Sequence, residues 1–167
     1  MMKKIALFTM ILMILLVSLQ GCTKKESIDN ELSKNLNSKI ILGDIIKNED
    51  THGGFHGEGE RIIVIKYNDD SINSMLSNIQ DSGKWSEIPL DENLNLLMYG
   101  GRKGDTFYQN EFAKKAGIPK IEHGYYYFIN KQTNDQNTDI LNSPSLNFAI
   151  AMFDSDSNTL YYFEKDT

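Results

Sequence analysis

The stretch 60-ERIIVIKYN-68 sets the strongest limit on what this chain can become. Ile62, Ile63, Val64 and Ile65 form an unbroken run of β-branched residues. Such side chains lose rotamer freedom in a helix and fit the pleated surface of a sheet. An apolar run without alternation suits a central strand covered on both faces. That strand has to find its cover without disulfides. Cys22 is the only cysteine in 167 residues, so a packed core alone must close the domain.

Partners for this strand can be read along the chain. The segment 39-KIILGDIIKNEDTH-52 reads as one strand, or two short strands broken at Gly43. Three more candidates are 125-YYYFINK-131, 146-LNFAIAMF-153 and 159-TLYYFEK-165. In the second, Leu146, Phe148, Ile150 and Met152 alternate with Asn147, Ala149, Ala151 and Phe153. The small Ala149 and Ala151 leave room for a helix to sit close. The polar 154-DSDSN-158 has the length of a hairpin connection.

Helices fall in the middle. Ile72, Met75, Leu76 and Ile79 recur at i, i+3, i+4 and i+7, which predicts a helix over 69–83. Asp69 or Asp70 would cap it and Gly83 would end it. A second, shorter helix is predicted over 91–101, with Leu94, Leu97 and Met98 on one face, Asp91 as cap and Gly100 as stop. The segment 102–119 reads as a short helix or an ordered loop. Thr106 and Gln109 fit a capping box there, and Tyr108, Phe112 and Ala116 share a face. Strands first, helices next and strands last is α+β order. The expectation is an antiparallel sheet of about five strands with two or three short helices on one face.

The N-terminus bears on location. Lys3 and Lys4 precede an apolar run from Ile5 to Leu19, shorter than the roughly 20 residues of a membrane span. The run ends in Leu19-Gln20-Gly21-Cys22. This resembles the lipobox of bacterial lipoproteins, in which a small residue precedes the cysteine. The resemblance implies diacylglycerol in thioether linkage on Cys22 and cleavage before it. Residues 1–21 would then be a signal peptide, and Cys22 would tie the chain to the outer face of the cell membrane. The polar 23-TKKESIDNELSKNLNS-38 reads as a flexible tether, so 22–38 is expected to link the lipid to a single domain over 39–167.

Charge narrows the partners. The chain has 17 basic and 23 acidic residues. Removing Lys3 and Lys4 with the leader leaves 15 against 23, a net charge of −8. A nucleic-acid binder wants a basic face, so that class is set aside. The membrane partnership is expected through the lipid on Cys22, with a protein or envelope ligand as the other partner.

The stretch 51-THGGFHGEGE-60 is the main candidate site. His52, His56, Glu58 and Glu60 are residue types that suit zinc or a similar divalent ion. Yet a spacing of four brings two histidines together only on a helix, and Gly53, Gly54, Gly57 and Gly59 oppose one. The alternative is a turn between two strands. A plain turn does not need two histidines, which leaves contact with a partner open. The DSDSN stretch resembles the start of a calcium loop, but Thr159 and Lys165 stand where glycine and glutamate are required. No GxSxG or P-loop spacing occurs, so no catalytic residue, metal or cofactor is assigned.

The phrases THGGFHGEGE, HGYYYFINK and NFAIAMFDSDSNTLYYFEKDT resemble a recurring set in small secreted or lipid-anchored proteins of low-GC Gram-positive bacteria. The activity of that group is uncharacterised, and the resemblance implies no catalytic residue. The expected function is that of a lipid-anchored, non-enzymatic binding domain at the cell envelope. The competing expectation is a metal-binding protein or metal-dependent enzyme built on the His52/His56 loop.

Overall fold

A computed structural model describes residues 27–53, 57–133 and 139–167. The leader 1–21, Cys22 and His56 lie outside the described residues. The β-branched run forms β2 (Gly59–Lys66), and Ile62 to Ile65 are all buried. Its neighbours are β1 (Asp44–Asp50) and β8 (Thr159–Asp166), both antiparallel to it. Beyond β8 come β7 (Phe148–Asp154), β6 (Gly124–Asn130) and the two-residue β3 (Ser86–Glu87). Among the described residues the sheet has six strands in the order β1-β2-β8-β7-β6-β3.

The twofold period of the strands divides the core in two. Ile63 and Ile65 share one layer with Ala149, Ala151, Phe153, Leu160 and Tyr162. Two helices cover it: α1 (Ile28–Asn35) through Leu32, and α2 (Asp69–Ser82) through Ile72, Met75 and Ile79. Ala149 and Ala151 belong to this layer, as their small size suggested. Ile62 and Val64 share the other layer with Phe148, Ile150, Met152 and Phe163. There α3 (Glu92–Tyr99), α4 (Phe112–Ala116) and a 3₁₀ turn at Ile140–Asn142 provide the cover. The antiparallel α+β architecture agrees with the sequence reading, but the helices occupy both faces rather than one. The reason is the apolar run itself. With Ile62 and Val64 on one side and Ile63 and Ile65 on the other, either face left bare would expose isoleucine.

The expected tether is also corrected. Residues 28–35 form α1, and Leu32 and Leu36 are wholly buried. Full burial of a leucine is worth roughly 1.5–3 kcal/mol, enough to hold a two-turn helix that would not survive alone. Ser33 Oγ accepts the Ile40 N–H at 2.8 Å and so ties the helix to the chain leading into β1. The folded unit therefore begins before Lys39.

Two local readings shift. Asn68, not Asp69 or Asp70, caps α2: its side chain accepts the Ser71 N–H at 3.0 Å. Both aspartates lie in the first turn, where the helix dipole favours negative charge. Thr106 caps no helix. It opens β5 (Thr106–Tyr108), paired with β4 (Gly101–Lys103) across a tight turn at Gly104-Asp105, where Gly104 has φ 58°. The Gly-Asp pair is a hairpin signal that outweighs the capping-box spacing.

Candidate functional site

The glycine-histidine motif joins β1 to β2. The Thr51 N–H donates to the Glu60 carbonyl at 2.9 Å, and the Glu60 N–H donates to Thr51 Oγ1 at 2.9 Å. The Gly53 N–H reaches the Glu58 carbonyl at 3.3 Å. The ladder thus continues past the strand ends as far as Gly53 and Glu58, and residues 54–56, on which the expected turn falls, lie outside the described residues. Gly59 has a specific role: a Cβ there would lie 2.5 Å from the backbone of His52. Only glycine lets the two arms close at that point.

His52 is held between two carboxylates. Asp50 Oδ1 lies 2.8 Å from Nδ1 and also accepts the His52 backbone N–H at 3.0 Å. Asp166 Oδ2, at the end of β8, lies 3.1 Å from Nε2. The ring donates to one carboxylate when neutral and to both when protonated. Burial alone would raise the Asp50 carboxyl. The hydrogen bonds from His52 and the positive charges of His52 and Arg61 outweigh it and hold the group below its ordinary value.

From Asp166 a chain of polar contacts crosses the sheet end. Lys131 Nζ donates to both Asp166 oxygens, at 2.8 and 2.7 Å, and to Glu164. Tyr162 donates to Glu164 Oε2 at 2.6 Å and accepts from Asn35 of α1 at 3.3 Å. Burial first, and then Glu164, push the Tyr162 phenol up. Beside this chain lies Arg61, 7 % exposed. It donates to Glu31 of α1 through Nε and Nη2, at 3.1 and 3.3 Å, and through Nη1 to Asn48 and the Glu49 carbonyl. The network joins α1, β1, β2, β8 and the residue after β6 on one face of the sheet.

Of the predicted site residues, His52, Glu58 and Glu60 do not converge, and His56 lies outside the described residues. Glu60 shares its face with Ile62 and Val64, opposite to Arg61 and Ile63. Its carboxylate accepts from Lys115 at 2.7 Å and Lys165 at 3.2 Å. Burial works against that charge, and the two lysines overcome it and lower the Glu60 carboxyl. His52 faces Asp50 and Asp166 instead, and Glu58 is exposed. Among the described residues, no group of three or more His, Cys, Asp or Glu side chains is placed to hold a metal ion. Two surface grooves of about 410 Å³ each are lined by Lys39, Ile41 and the Asn73–Asn78 face of α2, and by residues 109–112 with Lys114 and Lys115. His52, Arg61, Lys131, Tyr162, Glu164 and Asp166 line neither groove.

No known family, curated protein or solved structure matches this chain. Its function must be argued from its own residues. Sequence reasoning missed Arg61, Lys131, Glu164 and Asp166. A signal for Arg61 existed: it continues the every-second-residue row of Ile63 and Ile65, and a cation in a buried row needs a carboxylate. Nothing in the sequence said that Glu31 supplies it.

Proposed function

We propose that this chain is a lipid-anchored domain, held at the outer face of the cell membrane by Cys22, which acts by binding a protein or envelope ligand. The observation that carries this reading is Leu19-Gln20-Gly21-Cys22 after a short apolar run, with Cys22 as the sole thiol. Among the described residues no helix is long and apolar enough to cross a membrane. A binding role is supported by the distribution of polar groups. The charges around His52 and Arg61 are matched by partners within the domain, which suits support of the fold rather than turnover. The β4–β5 hairpin, by contrast, projects Phe107 at 61 % exposure next to exposed Arg102 and Lys103, a combination suited to contact with another molecule.

The test is metabolic labelling with a clickable fatty acid in cells making the natural chain or Cys22→Ala. Label and membrane association are expected for the natural chain and absent from the variant. A variant that keeps the label would end the lipid-anchor reading. Stoichiometric zinc binding lost in His52→Ala would favour the metal-site alternative.

A further inference from the structure

His52 reaches Asp166 across an intervening strand. β1 ends at Asp50, β8 ends at Asp166, and β2 lies between them in the sheet. In the β2–β8 ladder the residue opposite Asp166 is Gly59. Gly59 has no side chain to fill the space over that position, and a Cβ there would lie 2.5 Å from the His52 backbone. The imidazole can therefore lie over β2, with Nδ1 2.8 Å from Asp50 and Nε2 3.1 Å from Asp166.

The number of protons on the ring decides how many of these contacts attract. Ionised carboxylates accept hydrogen bonds and cannot donate them. Both contacts are hydrogen bonds only while both ring nitrogens carry protons. A neutral ring keeps one of them and turns a lone pair toward the other carboxylate, which repels it. The two sides are not equivalent. Asp50 is two residues away and also accepts the His52 backbone N–H at 3.0 Å, so the local chain closes its contact. Asp166 accepts twice from Lys131, at 2.8 and 2.7 Å, and stays paired without the histidine. Deprotonation therefore leaves the remaining proton on Nδ1 and gives up the contact to Asp166.

The other charges about the ring have partners of their own. Arg61 of β2 acts on Asp50 from the same face and is held by Glu31 of α1. Lys131, after β6, is shared by Asp166 and Glu164 of β8. Glu60 and Lys165 face the opposite layer, where Lys115 joins them, and Glu58 is exposed. Among these described groups, the His52 proton is the one that decides whether the end of β1 is joined to the end of β8.

We propose that His52 is a proton-operated clasp. Protonated, it ties the end of β1 to the end of β8 across Gly59. Neutral, it holds Asp50 alone and frees the β1–β2 connection from β8. The clasp is closed while the ring is charged and both carboxylates are ionised, and it opens as pH rises and the ring becomes neutral. It stands on contacts within the domain and does not depend on attachment at Cys22.

NMR on the natural chain tests this. Isotope labelling of histidine nitrogen resolves the three rings, and His52→Gln identifies the signals of His52. Spectra are followed from about pH 5 upward until the ring is neutral. The neutral ring is expected to carry its proton on Nδ1. Over the same step the Gly53 amide, which donates to the Glu58 carbonyl beside the clasp, is expected to lose protection severalfold, its exchange rate being set against that of an unstructured chain. In Asp166→Asn the new amide can donate to the bare Nε2 as well as accept from the protonated one, so Gly53 protection should stay flat. It should also stay flat in His52→Gln, which has no proton to lose, and thermal melts check that both variants are folded. A flat profile in the natural chain, an equal fall in either variant, or a neutral ring that keeps its proton on Nε2 would overturn the proposal.

Discussion

Arg61 of β2 holds Glu31 of α1 through two parallel hydrogen bonds, Nε to Oε1 at 3.1 Å and Nη2 to Oε2 at 3.3 Å. The two residues are 30 positions apart, and the pair clamps the first helix to the sheet. Truncating Glu31 to alanine leaves a nearly buried guanidinium with only amide and carbonyl partners. The expected cost is about 2 kcal/mol, below that of a fully buried pair because Glu31 is partly exposed. Urea unfolding of Glu31→Ala measures it. A loss under about 0.5 kcal/mol, the size of a surface-pair effect, would mean the clamp carries little.

Leu32 and Leu36 make the same helix part of the core. Leu32→Ala is expected to cost about 3 kcal/mol. A chain starting at Lys39 loses both leucines and exposes the row of Ile63 and Ile65 beneath them. It should melt without a cooperative transition and bind a hydrophobic dye. A sharp melt at the temperature of the longer chain would show that α1 is dispensable.

Glu60 should make stability depend on acid. Its folded carboxyl titrates below the unfolded value, because Lys115 and Lys165 outweigh burial. The stabilisation is present above the unfolded value, near 4.3, and is lost as pH falls through the lowered folded value. Glu60→Gln is expected to be about 1 kcal/mol less stable at pH 7, with the gap closing below roughly pH 4. Urea midpoints for both chains from pH 7 to pH 3 test this, and a constant gap would sink it.

His123 offers a reporter free of the core. Its ring lies 2.9 Å from Asp156 across an exposed turn, and that hydrogen bond and charge raise its titration above the ordinary histidine value. An NMR titration should place the natural chain above about 6.5 and return Asp156→Asn toward it. Unchanged titration in the variant would remove Asp156 as the cause.

The candidate site was legible only in outline. Glycines in THGGFHGEGE announced a connection between strands, and the ladder from Thr51 to Glu60 is that connection. The partners of its side chains were not legible. His52 meets Asp166 from 114 positions away, and Glu60 meets Lys165 from 105. Neither pairing leaves a local pattern, since each depends on β2 lying beside β8 in a particular register.

The sequence alone determined the α+β class, most of the long strands, α2 and α3. Those follow from side-chain periods of 2 and 3.6, which are local properties of the backbone. It also carried the cysteine after an apolar run, from which the anchor is proposed. Only the tertiary structure decided that helices cover both faces, that residues 28–35 are core rather than tether, and that Arg61 belongs to Glu31. A polar segment such as 27–36 holds just two leucines that matter, Leu32 and Leu36. Their burial is favourable only once a sheet exists to receive them, so the helix is a consequence of the fold and leaves little trace in its own sequence.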